Sequence, residues 1–105
     1  MASTYLNRRW GETANDPTVQ EMLSALDELD KPDPEHPDCW LSDEAGWSIS
    51  AHETGLLVLE NVETGEGPWH IPNCERKLVL ELWQTLQRGG LKSIKGYDWL
   101  EGYCN

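Results

Sequence analysis

Residues 47–71 read WSISAHETGLLVLENVETGEGPWHI, and this stretch decides the fold. Trp47, Ile49 and Ala51 alternate with Ser48, Ser50 and His52, the period-two pattern of a strand with one buried face. Glu53-Thr54-Gly55 makes a turn. Leu56 to Val62 is a nearly continuous apolar run, which places that strand in the middle of a sheet. Glu63-Thr64-Gly65-Glu66-Gly67 makes a second turn, with two glycines available for positive φ. Trp69-His70-Ile71 is a short third strand, ended by Pro72, and a strand over Cys39–Ser42 would add a fourth ahead of these. Connections this short imply an antiparallel meander.

Outward from the strands the period changes to that of helices. On the N-terminal side, Val19, Met22, Leu23, Leu26 and Leu29 form one apolar stripe, with Asp16 as cap and Pro17 at the first helical position, so a helix is expected from Asp16 to about Asp30. Its other face holds Gln20, Glu21, Asp27 and Glu28. Lys31 to Asp38 reads KPDPEHPD, and three prolines in eight residues forbid a helix and favour an exposed connection within the domain. On the C-terminal side a second helix is expected from a cap at Asn73, with Leu78, Val79, Leu82, Trp83 and Leu86 on one stripe and Gly89-Gly90 as its stop. The tail from Leu91, with Ile94, Tyr97, Trp99, Leu100 and Tyr103, is too apolar to stay in water and is expected to pack back. Residues 1–15 read as loosely ordered. The expectation is a single α+β domain over residues 1–105, a small antiparallel sheet of three to four strands with helices packed on one face.

Charge is sorted along the chain. The formal net charge is −11, and between Trp10 and Glu75 sixteen Asp and Glu stand against Lys31 alone. Such self-repulsion opposes compactness. Solubility is one reason for it and a basic partner is the sharper one. The acidity argues against direct binding to nucleic acid or to anionic membranes, both of which need surface Lys and Arg. Three cysteines at wide spacing, Cys39, Cys74 and Cys104, imply no disulfide framework, and no apolar run approaches a membrane span. The reading is a reduced, soluble, cytoplasmic protein.

Catalytic signatures are lacking: no glycine-rich phosphate loop, no GxSxG, no HExxH. His36 with Cys39 and His70 with Cys74 have spacings that could offer two zinc ligands each, but without a CxxC they are read as structural, so no metal or cofactor is expected. Acids in turns titrate ordinarily unless something tunes them, and His52 reads as a surface residue. The chain therefore reads as a binding protein rather than an enzyme.

Six Trp and no Phe is an unusual aromatic set, and Trp is a frequent anchor of interfaces. Trp40, Trp47 and Trp69 lie close in sequence to the acids of the linker and strand ends. Those acids are Asp38, Asp43 and Glu44, with Glu53 in one turn and Glu63 and Glu66 in the next. Aromatic anchors within a ring of acids suit a basic, concave target, the rings supplying burial and the charges approach rate and selectivity. These nine residues are the expected partner-binding set.

A small, acidic, Trp-rich α+β chain whose residues 46–73 run GWSISAHETGLLVLENVETGEGPWHIPN resembles the immunity proteins of bacterial polymorphic toxin systems. The resemblance is one of pattern over about residues 38–100. It implies a cytoplasmic antidote that binds one cognate toxin domain one-to-one and occludes a basic active-site cleft, the toxin being a nuclease or a nucleic-acid deaminase. Two alternatives stand beside it: a phage-encoded DNA-mimicking inhibitor of a nuclease or defence complex, and a non-catalytic acidic adaptor. Pairing of two copies through a sheet edge or the apolar tail is left open.

Overall fold

The structure, a computed structural model, describes residues 3–103. It is an α+β fold built on one antiparallel sheet of seven strands with three helices. The elements run β1 (Thr4–Asn7), β2 (Thr13–Asn15), α1 (Val19–Glu28), β3 (Asp38–Asp43), β4 (Trp47–His52), β5 (Leu57–Asn61), β6 (Trp69–Ile71), α2 (Arg76–Gln87), α3 (Leu91–Lys95) and β7 (Leu100–Glu101). The order across the sheet is β2-β1-β3-β4-β5-β6-β7. From β3 onward it is the expected meander. The one crossover is made by α1, which carries the chain from edge strand β2 past β1 to β3.

Three strands exceed the expected three to four. β1, β2 and β7 are short and largely polar, so their extended form comes from pairing rather than from pattern. Residues 4–15, expected to be loose, instead form a hairpin whose β1 is locked against β3 with Leu6 opposite Leu41. Residues 1 and 2 lie outside the described part. The apolar tail packs back as expected, as α3 and β7.

Register sorts the side chains. Leu6, Leu41, Ile49, Leu59 and Trp69 stand in one row across five strands, and Cys39, Ala51 and Leu57 in the next row on that face. Onto these rows pack Met22, Ala25 and Leu26 of α1, Val79, Leu82, Trp83 and Leu86 of α2, and Ile94 of α3, forming one core. Trp83 is fully buried and donates its indole N–H to the Ile49 carbonyl at 3.0 Å. A fully buried side chain of this kind contributes about 1.5–3 kcal/mol by leaving water. All three helices thus cover one face. The other, open face carries no helix, although Ser48, Val58 and His70 on it are buried and Gly102 and Tyr103 of the tail lie against its β5–β6 side.

Both long helices start later than expected, for local reasons. Asp16 is spent on the sheet: its side chain accepts from the Thr4 N–H at 2.9 Å and its own N–H donates to the Thr4 carbonyl at 2.7 Å. The cap passes to Thr18, whose hydroxyl accepts from Glu21 N–H while the Glu21 carboxylate accepts from Thr18 N–H, a reciprocal capping box. Asn73 has φ +56, a left-handed turn that brings Cys74 N–H to the Gly55 carbonyl at 2.7 Å, and α2 begins after Glu75.

The turns at one end of the sheet are tied together. Asp43 accepts the Trp47 N–H at 2.9 Å, and Asn61 donates to the Ala45 carbonyl while accepting from Glu63 and Thr64. Gly46, at φ +95, lies where a Cβ would stand 2.3 Å from Glu63 Cγ, so only glycine fits between the two turns. At the other end Arg9, its side chain fully buried, clamps the Pro-rich connection. Its guanidinium donates to the carbonyls of Glu28, Lys31 (2.8 Å) and His36 (2.9 Å), and pairs with Glu53 at 3.1 Å.

Candidate functional site: the open face of the sheet

The face away from the helices carries Tyr5 and Asn7 of β1, Asp38, Trp40 and Ser42 of β3, and Ser48, Ser50 and His52 of β4. It continues through Val58 and Glu60 of β5 and His70 of β6 to Leu100 of β7. No Lys or Arg occupies a strand position on it. The cations are elsewhere. Arg8 pairs with Glu28 of α1 at 2.8 Å, a hydrogen bond that raises the guanidinium pKa, and Arg76 pairs with Asp30 at 3.0 Å. Lys95 lies over the Trp47 ring, 4.6 Å from its centroid. On the helical side Arg8 and Arg76 pair directly with acids, whereas on the open face no strand position carries Lys or Arg, and Arg8 and Arg9, the cations nearest to Asp38, lie at the Trp10 end of the sheet.

Two hollows open on this face and share Asp38 and Trp40. One, of about 300 Å³, is floored by Ser48 and Ser50 and bounded by Asp38, Trp40, Glu60 and Val62. The other, of about 330 Å³, runs from Trp40 and Asn7 past Pro37 and the two arginines Arg8 and Arg9 to Trp10 at the end of the sheet. Val62 is 69% exposed, and Trp10 and Tyr103 are also exposed, which is the apolar complement of the acids. Asp38 faces His52 at 3.8 Å, and Glu60 accepts the Tyr103 hydroxyl at 2.7 Å, which raises the tyrosine pKa. Each carboxylate keeps further acceptor positions free of these partners. At the Trp10 end, Asp33 accepts the Trp10 indole N–H at 2.7 Å, which holds its carboxyl below the usual range, with His36 Nδ1 at 3.3 Å adding to this.

The nine residues expected to bind a partner do not form one patch. Asp38 and Trp40 are on the open face, and Glu44 is at its rim, accepting the Tyr5 hydroxyl at 3.3 Å. Glu63 and Glu66 are exposed in the turn beyond β5, at the end where Glu44 lies. Asp43 points to the helix side and holds its own turn, and Glu53 is engaged by Arg9 and by the Asp33 N–H. These last two are fold-holding acids. Asp38 and Glu53 sit at the opposite end of the strands from Glu44 and Glu63, separated by about 17–20 Å for a six-residue strand such as β4. Trp47 and Trp69 are on the helix-covered face, stacked with centroids 6.4 Å apart and planes at 15°. Trp47 is 6% exposed, so its ring has almost no surface to offer. Trp69 is half-buried and lines a cleft with Leu59, Lys95, Tyr97 and Trp99.

Sequence reading missed Glu60, Val62, Ser48, Ser50, Trp10 and Tyr103. For three of them a signal existed: alternation already put Ser48 and Ser50 on the polar side of β4, and Glu60 is the acid that interrupts the Leu56–Val62 run, whereas Val62 read only as the end of that run. Trp10 and Tyr103 come from a turn and the tail, and only the folded chain brings them to this face. Of the His70–Cys74 pair, His70 is fully buried with Nδ1 2.8 Å from the Gly102 carbonyl and Nε2 without a hydrogen-bond partner among the described residues, and Cys74 Sγ lies 3.6 Å from the Ile71 carbonyl. Burial pushes the Cys39 thiol up to about 12. Among the described residues, no group of three His, Cys, Asp or Glu could hold a metal ion, and no helix is long and apolar enough to cross a membrane. Comparison with known protein families, with curated proteins and with solved structures found no match to this chain.

Proposed function

We propose that this chain is a cytoplasmic neutralising protein of the immunity type, which binds a basic toxin domain through the open face of its sheet and blocks that domain's active-site cleft. The observation that carries the reading is the charge of that face: Asp38 and Glu60 flank Trp40 with Glu44 at the rim, and no Lys or Arg occupies a strand position there. Nucleases and nucleic-acid deaminases hold phosphates in basic clefts, so an acidic surface with an aromatic anchor can stand where phosphate would. The chain needs no catalysis or cofactor for this, only a surface of at least about 1,200 Å² in total.

The test is protection. The neighbouring gene is expected to encode the toxin domain, which is expressed with and without the chain while growth and association rate are measured. Growth is restored, and association slows about ten-fold or more between low and high salt, because the approach is electrostatically steered. Charge reversal at Asp38, Glu44 and Glu60 abolishes protection, whereas reversal of Glu21 and Asp27 on α1 leaves it intact. No protection, or association indifferent to salt, would overturn the reading.

A further inference from the structure

The tryptophans of this chain differ in what covers them. Arg9 lies over Trp10 with its guanidinium carbon 5.0 Å from the ring centroid, and Lys95 lies over Trp47 at 4.6 Å. Both rings carry a cation supplied by the chain itself. Trp40 has none among the described residues, and it stands on the face whose strands carry no Lys or Arg. Its indole N–H has no hydrogen-bond partner among the described residues, which holds also for Trp47 and Trp69 of the covered face, whereas Trp10, Trp83 and Trp99 donate theirs to Asp33, Ile49 and Ile94. The ring is half-buried and forms a wall of the hollow floored by Ser48 and Ser50, with Asp38 and Glu60 as carboxylates on its rim.

We infer that this hollow is a recognition site for an arginine side chain of the protein partner, the guanidinium lying against Trp40 and donating to Asp38, its neighbour on the same strand, and to the Ser50 hydroxyl opposite, with Glu60 adding negative charge at the far rim. Arginine fits better than lysine on chemical grounds. Its planar group stacks on an aromatic ring while its five N–H donors point outward in the ring's plane, and acceptors surround Trp40 on more than one side. An ammonium is a more strongly hydrated point charge and would surrender more water to enter. Trp40 supplies the apolar contact, the carboxylates the charge, and the small serines the room for close approach. Any other occupant of a purely acidic surface would be chosen by charge alone, without preference between the two cations.

This site rests on the open face being the contact surface, but its test needs no toxin. The probes are the capped tripeptides Gly-Arg-Gly and Gly-Lys-Gly, titrated into the isotopically labelled full chain at about 150 mM salt, where long-range attraction is screened. The arginine peptide shifts the Trp40 indole resonance and the amides of Ser48, Ser50 and Glu60. The lysine peptide shifts them about three-fold less or not at all. Trp40→Ala abolishes the shifts, Trp40→Phe keeps a part of them, and Asp38→Asn with Glu60→Gln weakens binding about ten-fold. The amide spectrum of each variant shows directly that it is folded. Shifts equal for both peptides, spread over the acids of α1, or unchanged in Trp40→Ala would overturn the site. Arginine selectivity at Trp40 without toxin protection would leave this site and remove the neutraliser reading. Protection that is insensitive to Trp40→Ala would do the reverse.

Discussion

The two faces of this sheet use the same strands to opposite ends. On one, Leu6, Leu41, Ile49 and Leu59 stand in a row beneath three helices, and the polar groups there are tied off: Trp83 N–H to Ile49, Lys95 on Trp47, Asn61 to the turns. On the other, Trp40, Ser48, Ser50, Asp38 and Glu60 border a hollow. On the first face Trp83 is fully buried with its indole N–H bonded, and on the second Trp40 is half-buried with no such bond among the described residues. Carboxylates alone do not separate the two faces, since Asp43 and Glu53 are carboxylates too and serve the fold.

Substituting the same residue type on each face tests this contrast most severely. Trp83→Ala, which empties a fully buried site, is expected to cost about 3–5 kcal/mol in urea unfolding. Trp40→Ala is expected to cost about 1 kcal/mol, nearer the range of surface changes. Equal losses would mean that Trp40 is a core residue and not a docking surface.

A smaller effect is expected for the charges that hold the ends of the sheet. Arg9→Met keeps the bulk but strips the donors from the Pro-rich connection and leaves Glu53 without its partner, at about 3 kcal/mol. Arg8→Met, at a partly exposed pair with Glu28, should cost under about 1 kcal/mol. A large loss for Arg8 and none for Arg9 would reverse the assignment of which cation builds the fold.

The smallest effect is one of pH. Cys39 lies on the covered face, and burial raises its thiol from 9.0 to about 12. Because the folded value is the higher one, the folded chain keeps its proton while the unfolded chain loses it. That contribution to stability is whole below pH 9 and is lost progressively as pH rises toward 12. Unfolding midpoints of the parent should therefore fall more steeply over that range than those of Cys39→Ala. Alkylation near pH 9 should reach half-buried Cys74 well before Cys39, and the opposite order would contradict the burial of the helix face.

The legible part of the fold was its periodic part. The stripes of Val19–Leu29 and Leu78–Leu86 became α1 and α2, alternation at Trp47–His52 became β4, and the apolar run became β5. Trp47, Ile49 and Ala51 were correctly read as one buried row, and that row also explains why Trp47 is no anchor for a partner. What stayed hidden was β1, β2 and β7, four residues or fewer each, which are too short to show a period; the equally short β6 was marked instead by the glycine turn before it and Pro72 after it. Their extended form is conferred by the strand beside them.

For the site, composition announced an acidic and aromatic surface but could not assign its members. By itself the sequence determined the secondary elements with repeating apolar patterns, the antiparallel meander and the excess of acid, because these depend on neighbours in the chain. Only the tertiary structure decided which acids are free and which are spent, that Trp40 and Glu60 share a hollow while Trp47 and Trp69 stack under helices, and that Trp10 and Tyr103 join the open face. Those outcomes depend on strand register and on which face the helices cover, and a shift of one residue in register would exchange the two faces.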